Sequence, residues 1–285
     1  MPELTLSGFG DEICDSFAGQ LDVMAGLGLR YIDPRGIDGK NIADLSPREA
    51  AEAKRILDDK GFRVGCIGAP IGKYPIEADF EPELERFQRT LDNARTLGAD
   101  RMRIFSFFIP QGHAPEAYRQ QVIDRLCRLL ETSKGSGMTL LHENEHGIYG
   151  DTARRCLDLA RSIPDARFGL IFDPCNFLFA GEEPYPDAYT CLRGRIAALH
   201  IKDGRGKQVV PAGQGDGRIP EMLKALYADG FSGMATLEPH LGTFTGMAQF
   251  ESVLDLNTMP RGGAALFALA LEAFKKAAAG SGYKL

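Results

Sequence analysis

Four apolar runs of strand length in this chain each finish at a side chain that can hold a cation. Residues 138–144 read MTLLHEN and reach Glu143, and residues 168–174 read FGLIFDP and reach Asp173. Residues 196–203 read IAALHIKD and carry His200, and residues 233–240 read GMATLEPH and carry Glu238. The intervals are 30, 27 and 38 residues, while 285 residues shared among eight units give about 36 per strand-plus-helix unit. Groups at the same end of successive parallel strands converge on one point. Three carboxylates and an imidazole suit a divalent ion of the Mn, Mg, Co or Zn kind.

The rest of the chain alternates in the same way. A first strand in LTLSGFGDE runs out into Asp11 and Glu12, and a helix follows with Asp15 as its expected cap and Gly28 at its end. LRYID is the second strand and leads into a loop bearing Arg35, Lys40 and Asn41. Ser46-Pro47-Arg48-Glu49 is a helix-start signature, with a serine cap, proline in the first position and glutamate in the third. FRVGCIGAPIG is the third strand, its glycines marking close backbone approach. A helix over 81–97 ends at Gly98, and RMRIFSFF is a fourth strand delivering Arg103 and Ser106. NFLFAGEEPYPDAY after Asp173 reads as an irregular loop, and residues 241–257 as a further excursion before a last helix over 263–279.

Eight apolar strands alternating with helices predict a parallel sheet covered on both faces. The expected architecture is α/β, a single closed (β/α)8 TIM barrel occupying residues 1–285 as one domain. An open doubly wound sheet is the rival, but SGFGDE lacks the GxGxxG turn it requires after the first strand.

Taken singly, an acid after a strand is well explained as a turn or cap residue. Four such residues at four strand ends are not. HENEH at 142–146 is not a zinc-binding helix pair, because successive strand residues face opposite sides and His142 points away from Glu143. A formal net charge of −6 argues against a nucleic-acid partner. The six cysteines show no CxxC pairing, and no signal peptide or membrane-length run is present, which predicts a reduced cytoplasmic setting without a membrane partner.

The order Glu143, Asp173 with Asn176, His200 with Lys202 and Asp203, then Glu238 resembles the xylose isomerase-like TIM-barrel superfamily of sugar phosphate isomerases and epimerases. The strings LLHENEHGIYGD, FDPCNF, HIKD, PAGQGDG and LEPHLG carry the likeness, which runs from the first strand to Glu238. It implies one divalent ion, Mn²⁺ foremost, held by Glu143, Asp173, His200 and Glu238, with the two glutamates as catalytic acid and base. It implies a sugar or keto-sugar isomerase or epimerase that transfers a proton through a metal-stabilised enediolate. A dehydratase using the same enolate is the first alternative, and a non-catalytic sugar-binding barrel the second. Asn176, Lys202, Asp203, His240, Arg35 and Arg103 are the expected substrate contacts, with Lys73 a weaker anion contact. The chain departs from the epimerases at Asn176, where they carry histidine, at Asp33-Pro34, where many carry glutamate, and at Gln214, where their turn reads GEGD. The C-terminal helix and loops leave room for a homodimer.

Overall fold

Parallel pairing joins six strands of the computed structural model, which describes residues 1–249 and 253–285, with one register shift between Leu170 and Ile171. Residues 250–252 of the expected excursion lie outside the described residues. In chain order the ring segments are β1 (Leu4–Gly8), β2 (Tyr31–Ile32), β3 (Arg63–Val64), β4 (Arg101–Ile104), β5 (Thr139–Glu143), β6 (Phe168–Phe172), β7 (Ile196–Ile201) and β8 (Gly233–Leu237). The six-stranded sheet has the order β1-β8-β7-β6-β5-β4, all pairs parallel.

The expectation of eight continuously paired strands needs correction. β2 and β3 are two residues each and pair only with one another, so the regular sheet is open. Single links join this pair to the sheet. Asp33 N–H donates to the Gly8 carbonyl at 3.0 Å, and Ile67 bridges Met102. The cause is local. A Cβ on Gly65 would lie 2.5 Å from both Asp33 Oδ1 and Met234 Cε, and one on Gly68 would lie 2.5 Å from the Phe9 ring. That arc is too tight for side chains, and glycine and proline there cost the ladder its regularity.

The α-helices among the described residues are α1 (Phe17–Gly26), α2 (Pro47–Asp59), α3 (Glu81–Leu97), α4 (Arg119–Thr132), α5 (Ala153–Ser162), α6 (Pro174–Phe179), α7 (Tyr189–Leu192), α8 (Ile219–Ala228) and α9 (Ala264–Ala278). The Ser46–Glu49 capping box forms on α2, and α3 has the expected bounds, closed by Gly98 in the left-handed region. Ser16, not Asp15, caps α1 by accepting from Gly19 N–H. The stretch after Asp173 is not wholly irregular: Asp-Pro starts α6, with Asp173 as cap and Pro174 in the first turn.

Side chains alternate along each strand, and that period builds the site in layers. Cys66, Leu141, Ile171, Ala198 and Met234 form a small apolar cluster apart from the main core. Two residues further along the chain from Leu141, Ile171 and Ala198 stand Glu143, Asp173 and His200. On β8 the intervening Thr236 hydrogen-bonds Ser7 at 2.9 Å and Asp33 at 2.8 Å, and Glu238 follows two residues later. The apolar floor therefore sets the register of the polar layer above it.

Candidate metal centre

Glu143 ends β5, Asp173 follows β6, His200 lies one residue before the end of β7, and Glu238 follows β8. Each of the four offers one ligand atom, and these atoms all lie within 4.8 Å of one another, buried. They form a site for one divalent cation. His200 Nδ1 is 2.7 Å from Glu143 Oε1 and 3.1 Å from Glu238 Oε2, and the Phe9 ring meets the imidazole edge-on.

Asp173 divides its labour between its two oxygens. Oδ1 accepts from Asn176 N–H at 2.9 Å and caps α6, while the buried Oδ2 has no hydrogen-bond partner, with Lys202 Nζ 3.2 Å away. The bland and the functional readings of this aspartate both hold, on different atoms. Its backbone is fixed by Asn144, whose side chain accepts from Asp173 N–H and donates to the Asp173 carbonyl.

Three cations surround the four ligands. Lys202, only 2% exposed, reaches Asp173 and Glu238 (3.6 Å). Arg103 from β4 donates to Glu143 at 3.1 Å, to Glu238 at 3.5 Å and to the Gly68 carbonyl at 3.0 Å. Arg35, just past β2, donates to Glu238 at 3.1 Å and is sandwiched between the Phe9 and Phe244 rings. It also grips Asp11 through two bonds of 2.8 and 3.0 Å and Glu12 at 3.3 Å. His240 lies 3.5 Å from both Glu12 and Glu238. Asn176 Nδ2 sits 3.4 Å from Glu143 and donates to the Asn144 carbonyl at 2.9 Å.

The charges test the fit of a cation. The buried carboxylates Asp11, Glu12, Glu143, Asp173 and Glu238 outnumber the three permanent cations they contact, so further positive charges are wanting. One divalent ion supplies them. Without it the cluster retains protons. Burial pushes Asp173 up to about 7 against the pull of Lys202, with Glu143 and Glu238 adding to the rise. His200, which burial alone would depress, is held at about 10 by Glu143 and Glu238. Burial likewise raises Glu12 to about 7 against His240 and Arg35. Glu238 stays well below the ordinary glutamate value because Lys202 and the neighbouring histidines outweigh its burial.

Other expected residues have different surroundings. The Asp203 carboxylate accepts from the backbone N–H groups of Gly204, Gly213, Gly215 and Gly217 at 2.8–3.0 Å, so it shapes the glycine-rich turn. Lys73 pairs with Glu145 at 2.9 Å. His142 turns away from Glu143 and hydrogen-bonds Ser106 at 2.9 Å, and burial lowers its pKa to about 4. The parts that sequence reasoning missed are Asp11 and Glu12 as partners of Arg35, and Phe9 and Phe244 as its cover. Asp11 and Glu12 did carry a signal, since they lie within four residues of the end of the first strand.

The chain belongs to the xylose isomerase-like TIM-barrel family, whose model matches residues 21–255. Solved structures with the same fold include the IolI protein with a bound zinc atom (15% identity, 96% of this chain and 98% of that one, TM-score 0.75). D-psicose 3-epimerase with D-tagatose from Clostridium cellulolyticum H10 is 13% identical over 96% of this chain and 98% of that one, TM-score 0.73. The probable 3-DHS dehydratase AsbF from Bacillus anthracis is 16% identical over 96% and 99%, TM-score 0.70. No curated protein matches the sequence at a significant level.

Proposed function

We propose that the protein is a divalent-metal-dependent isomerase or epimerase of a sugar or keto-sugar. The observation that carries this reading is the pairing of Glu143 and Glu238 on either side of His200 within one buried four-ligand cluster. A divalent cation held by Glu143, Asp173, His200 and Glu238 supplies Lewis acidity, lowering the cost of removing a proton beside a carbonyl. Mn²⁺ is our first choice of ion. The chain's own groups supply the proton transfer: one glutamate takes the proton and the other returns one to the opposite face or the neighbouring carbon. Lys202 places a buried positive charge where oxyanion character develops. Asn176 and His240 offer hydrogen-bonding edges for substrate hydroxyls, and Arg103 and Arg35 hold the glutamates in place.

Dehydration is the second reading. Lys202, between Asp173 and Glu238, places a buried positive charge and N–H donors beside the ligands, where they would assist a departing hydroxyl. Product mass separates the two, since elimination loses one water and isomerisation loses nothing.

The same proposal takes residues 1–285 as one domain, on the support of one continuous main core. It takes the ring as closed, on the support of the Asp33–Gly8 and Ile67–Met102 links. It places the protein in the cytoplasm, in keeping with six cysteines that show no CxxC pairing. No described helix is long and apolar enough to cross a membrane. The acidic net charge disfavours nucleic acid, and exposed Leu269 on α9 offers a face for a homodimer.

The test is solvent exchange. With Mg²⁺ or Mn²⁺ loaded and ketoses screened in D₂O by NMR, the wild type incorporates deuterium beside the carbonyl. Glu143→Gln loses that exchange by about 10²–10⁴-fold. Full exchange in the variant removes Glu143 as the base.

A further inference from the structure

We propose that Asn144 and Asn176 are positioning residues for the cation. Between them they hold Glu143 and Asp173 at a fixed separation, so that this half of the ligand set is formed before the ion arrives. The inference rests on the reading of the cluster as a cation site, and it holds whichever reaction the ion serves.

The ladder between β5 and β6 ends with Glu143 opposite Ile171, two residues short of Asp173. A side-chain amide carries the same donor and acceptor as a peptide group, and Asn144 uses its amide to extend the pairing past the end of the ladder. Its Oδ1 accepts from Asp173 N–H at 2.9 Å, and its Nδ2 donates to the Asp173 carbonyl at 3.0 Å.

The tie is returned from the other side. Asn176, in the first turn of α6, donates through Nδ2 to the Asn144 carbonyl at 2.9 Å and lies 3.4 Å from Glu143 Oε1. Its backbone N–H donates to Asp173 Oδ1 at 2.9 Å. Each ligand is thus gripped by the asparagine of the other's segment. Asn144 adjoins Glu143 and holds Asp173, while Asn176 belongs to the helix that Asp173 caps and reaches Glu143. Both N–H bonds of the Asn176 amide are used in this way, which leaves its oxygen as the edge for a substrate hydroxyl.

Neutrality suits the amides to this task. Both asparagines are buried, and their bonds to backbone groups carry no net charge for an entering cation to repel. Glu238 is held differently, by Arg35, Arg103 and Lys202, whose charges the ion does repel. The amide ties also leave Asp173 Oδ2 without a hydrogen bond of its own and so ready for the ion. An ion that meets ordered ligands does not have to order them, and binds more tightly for it.

The experiment measures cation binding by the full-length protein after stripping with EDTA. Mn²⁺ is titrated by calorimetry, and Co²⁺ at saturation reports ligand geometry through its visible absorption. Asn144→Ala and Asn176→Ala are each expected to weaken Mn²⁺ binding by about 10–100-fold and to displace the Co²⁺ bands. Ser281→Ala is the control. Ser281 is likewise buried, donates to the Ala278 carbonyl and accepts from Tyr283 N–H. Tyr283 bonds the Phe231 carbonyl just before β8 starts, at the end of the ring opposite the ligands. Ser281→Ala should lose stability yet keep the wild-type affinity and spectrum. Mn²⁺ affinity within about twofold of wild type in either asparagine variant overturns the inference, as does an equal loss in Ser281→Ala. Amide exchange of the wild type, followed by NMR with and without Mg²⁺, decides the matter even where neither variant folds. The Asp173 amide should be protected in the metal-free protein, and protection that develops only on addition of Mg²⁺ overturns the inference. A wild type that takes up no Mn²⁺ at all removes the metal-centre reading instead.

Discussion

His200 Nδ1 lies 2.7 Å from Glu143 Oε1, so in the absence of a cation a proton bridges imidazole and carboxylate at the centre of the ligand set. His200 is held at about 10 and Asp173 at about 7, so at neutral pH the imidazole is protonated and Asp173 partly so, and a cation must displace those protons. Cation uptake at pH 7 should therefore release protons, and affinity should fall as pH drops. Calorimetry of Mn²⁺ binding in two buffers of different ionisation enthalpy measures the release directly. Identical heats in both buffers contradict it.

Lys202 is buried against Asp173 and Glu238, where its charge offsets the same carboxylates that a metal ion offsets. Replacing it with methionine leaves those carboxylates less compensated, so cation affinity should hold or rise while turnover falls by about 10²–10³-fold. A variant that loses both in proportion would mean that Lys202 serves only to keep the ligands in place. Elemental analysis alongside kcat separates the outcomes.

Asp203 holds four backbone N–H groups with two oxygens. Asp203→Ala strands them, at roughly 1–3 kcal/mol for each amide that finds no water, those of buried Gly204 and Gly217 above all. A loss of at least about 3 kcal/mol in chemical denaturation is expected, with Asp203→Asn retaining more than Asp203→Ala because it keeps one acceptor. Wild-type stability in Asp203→Ala, with altered substrate affinity, would restore Asp203 as a substrate contact.

The ligand set was legible in the sequence because its signal is local. An apolar run sets a strand, the strand sets a direction, and the residue at its end inherits a place on the barrel's mouth. Four such ends suffice to define a point. What lay beyond reach depended on partner choice between distant segments. Arg35 reads equally well as a substrate anion contact until Asp11, 24 residues earlier, is seen to occupy it. Lys202 reads equally well as a rim lysine until its burial is known. Asp-Pro at 173–174 carried two messages at once, a helix cap and a metal ligand, and the reading of the loop used only one of them. The glycines of the third strand were noticed, but their crowding against Asp33, Phe9 and Met234 is a property of the assembled ring.

Glu83 provides a pH test away from the metal centre. It sits on α3, 2% exposed, and accepts from Gly72 N–H at 2.7 Å. Gly72 has a left-handed φ of +86°, and a Cβ there would lie 2.1 Å from the Phe105 carbonyl, so the turn cannot shift to provide another acceptor. Burial raises the Glu83 pKa above its ordinary value, with the Gly72 bond only partly opposing the rise. A carboxyl whose folded pKa exceeds its unfolded value binds more protons in the folded state. Its contribution to stability is complete below the unfolded value and is lost as pH rises through the folded one. Glu83→Gln keeps an acceptor for Gly72 and carries no charge to bury. The variant's Tm advantage over wild type should therefore grow as pH rises from about 4 to 7, measured in EDTA so that cation release does not contribute. A constant difference, or one that shrinks with rising pH, would show that the Gly72 N–H, and not burial, governs the ionisation of Glu83.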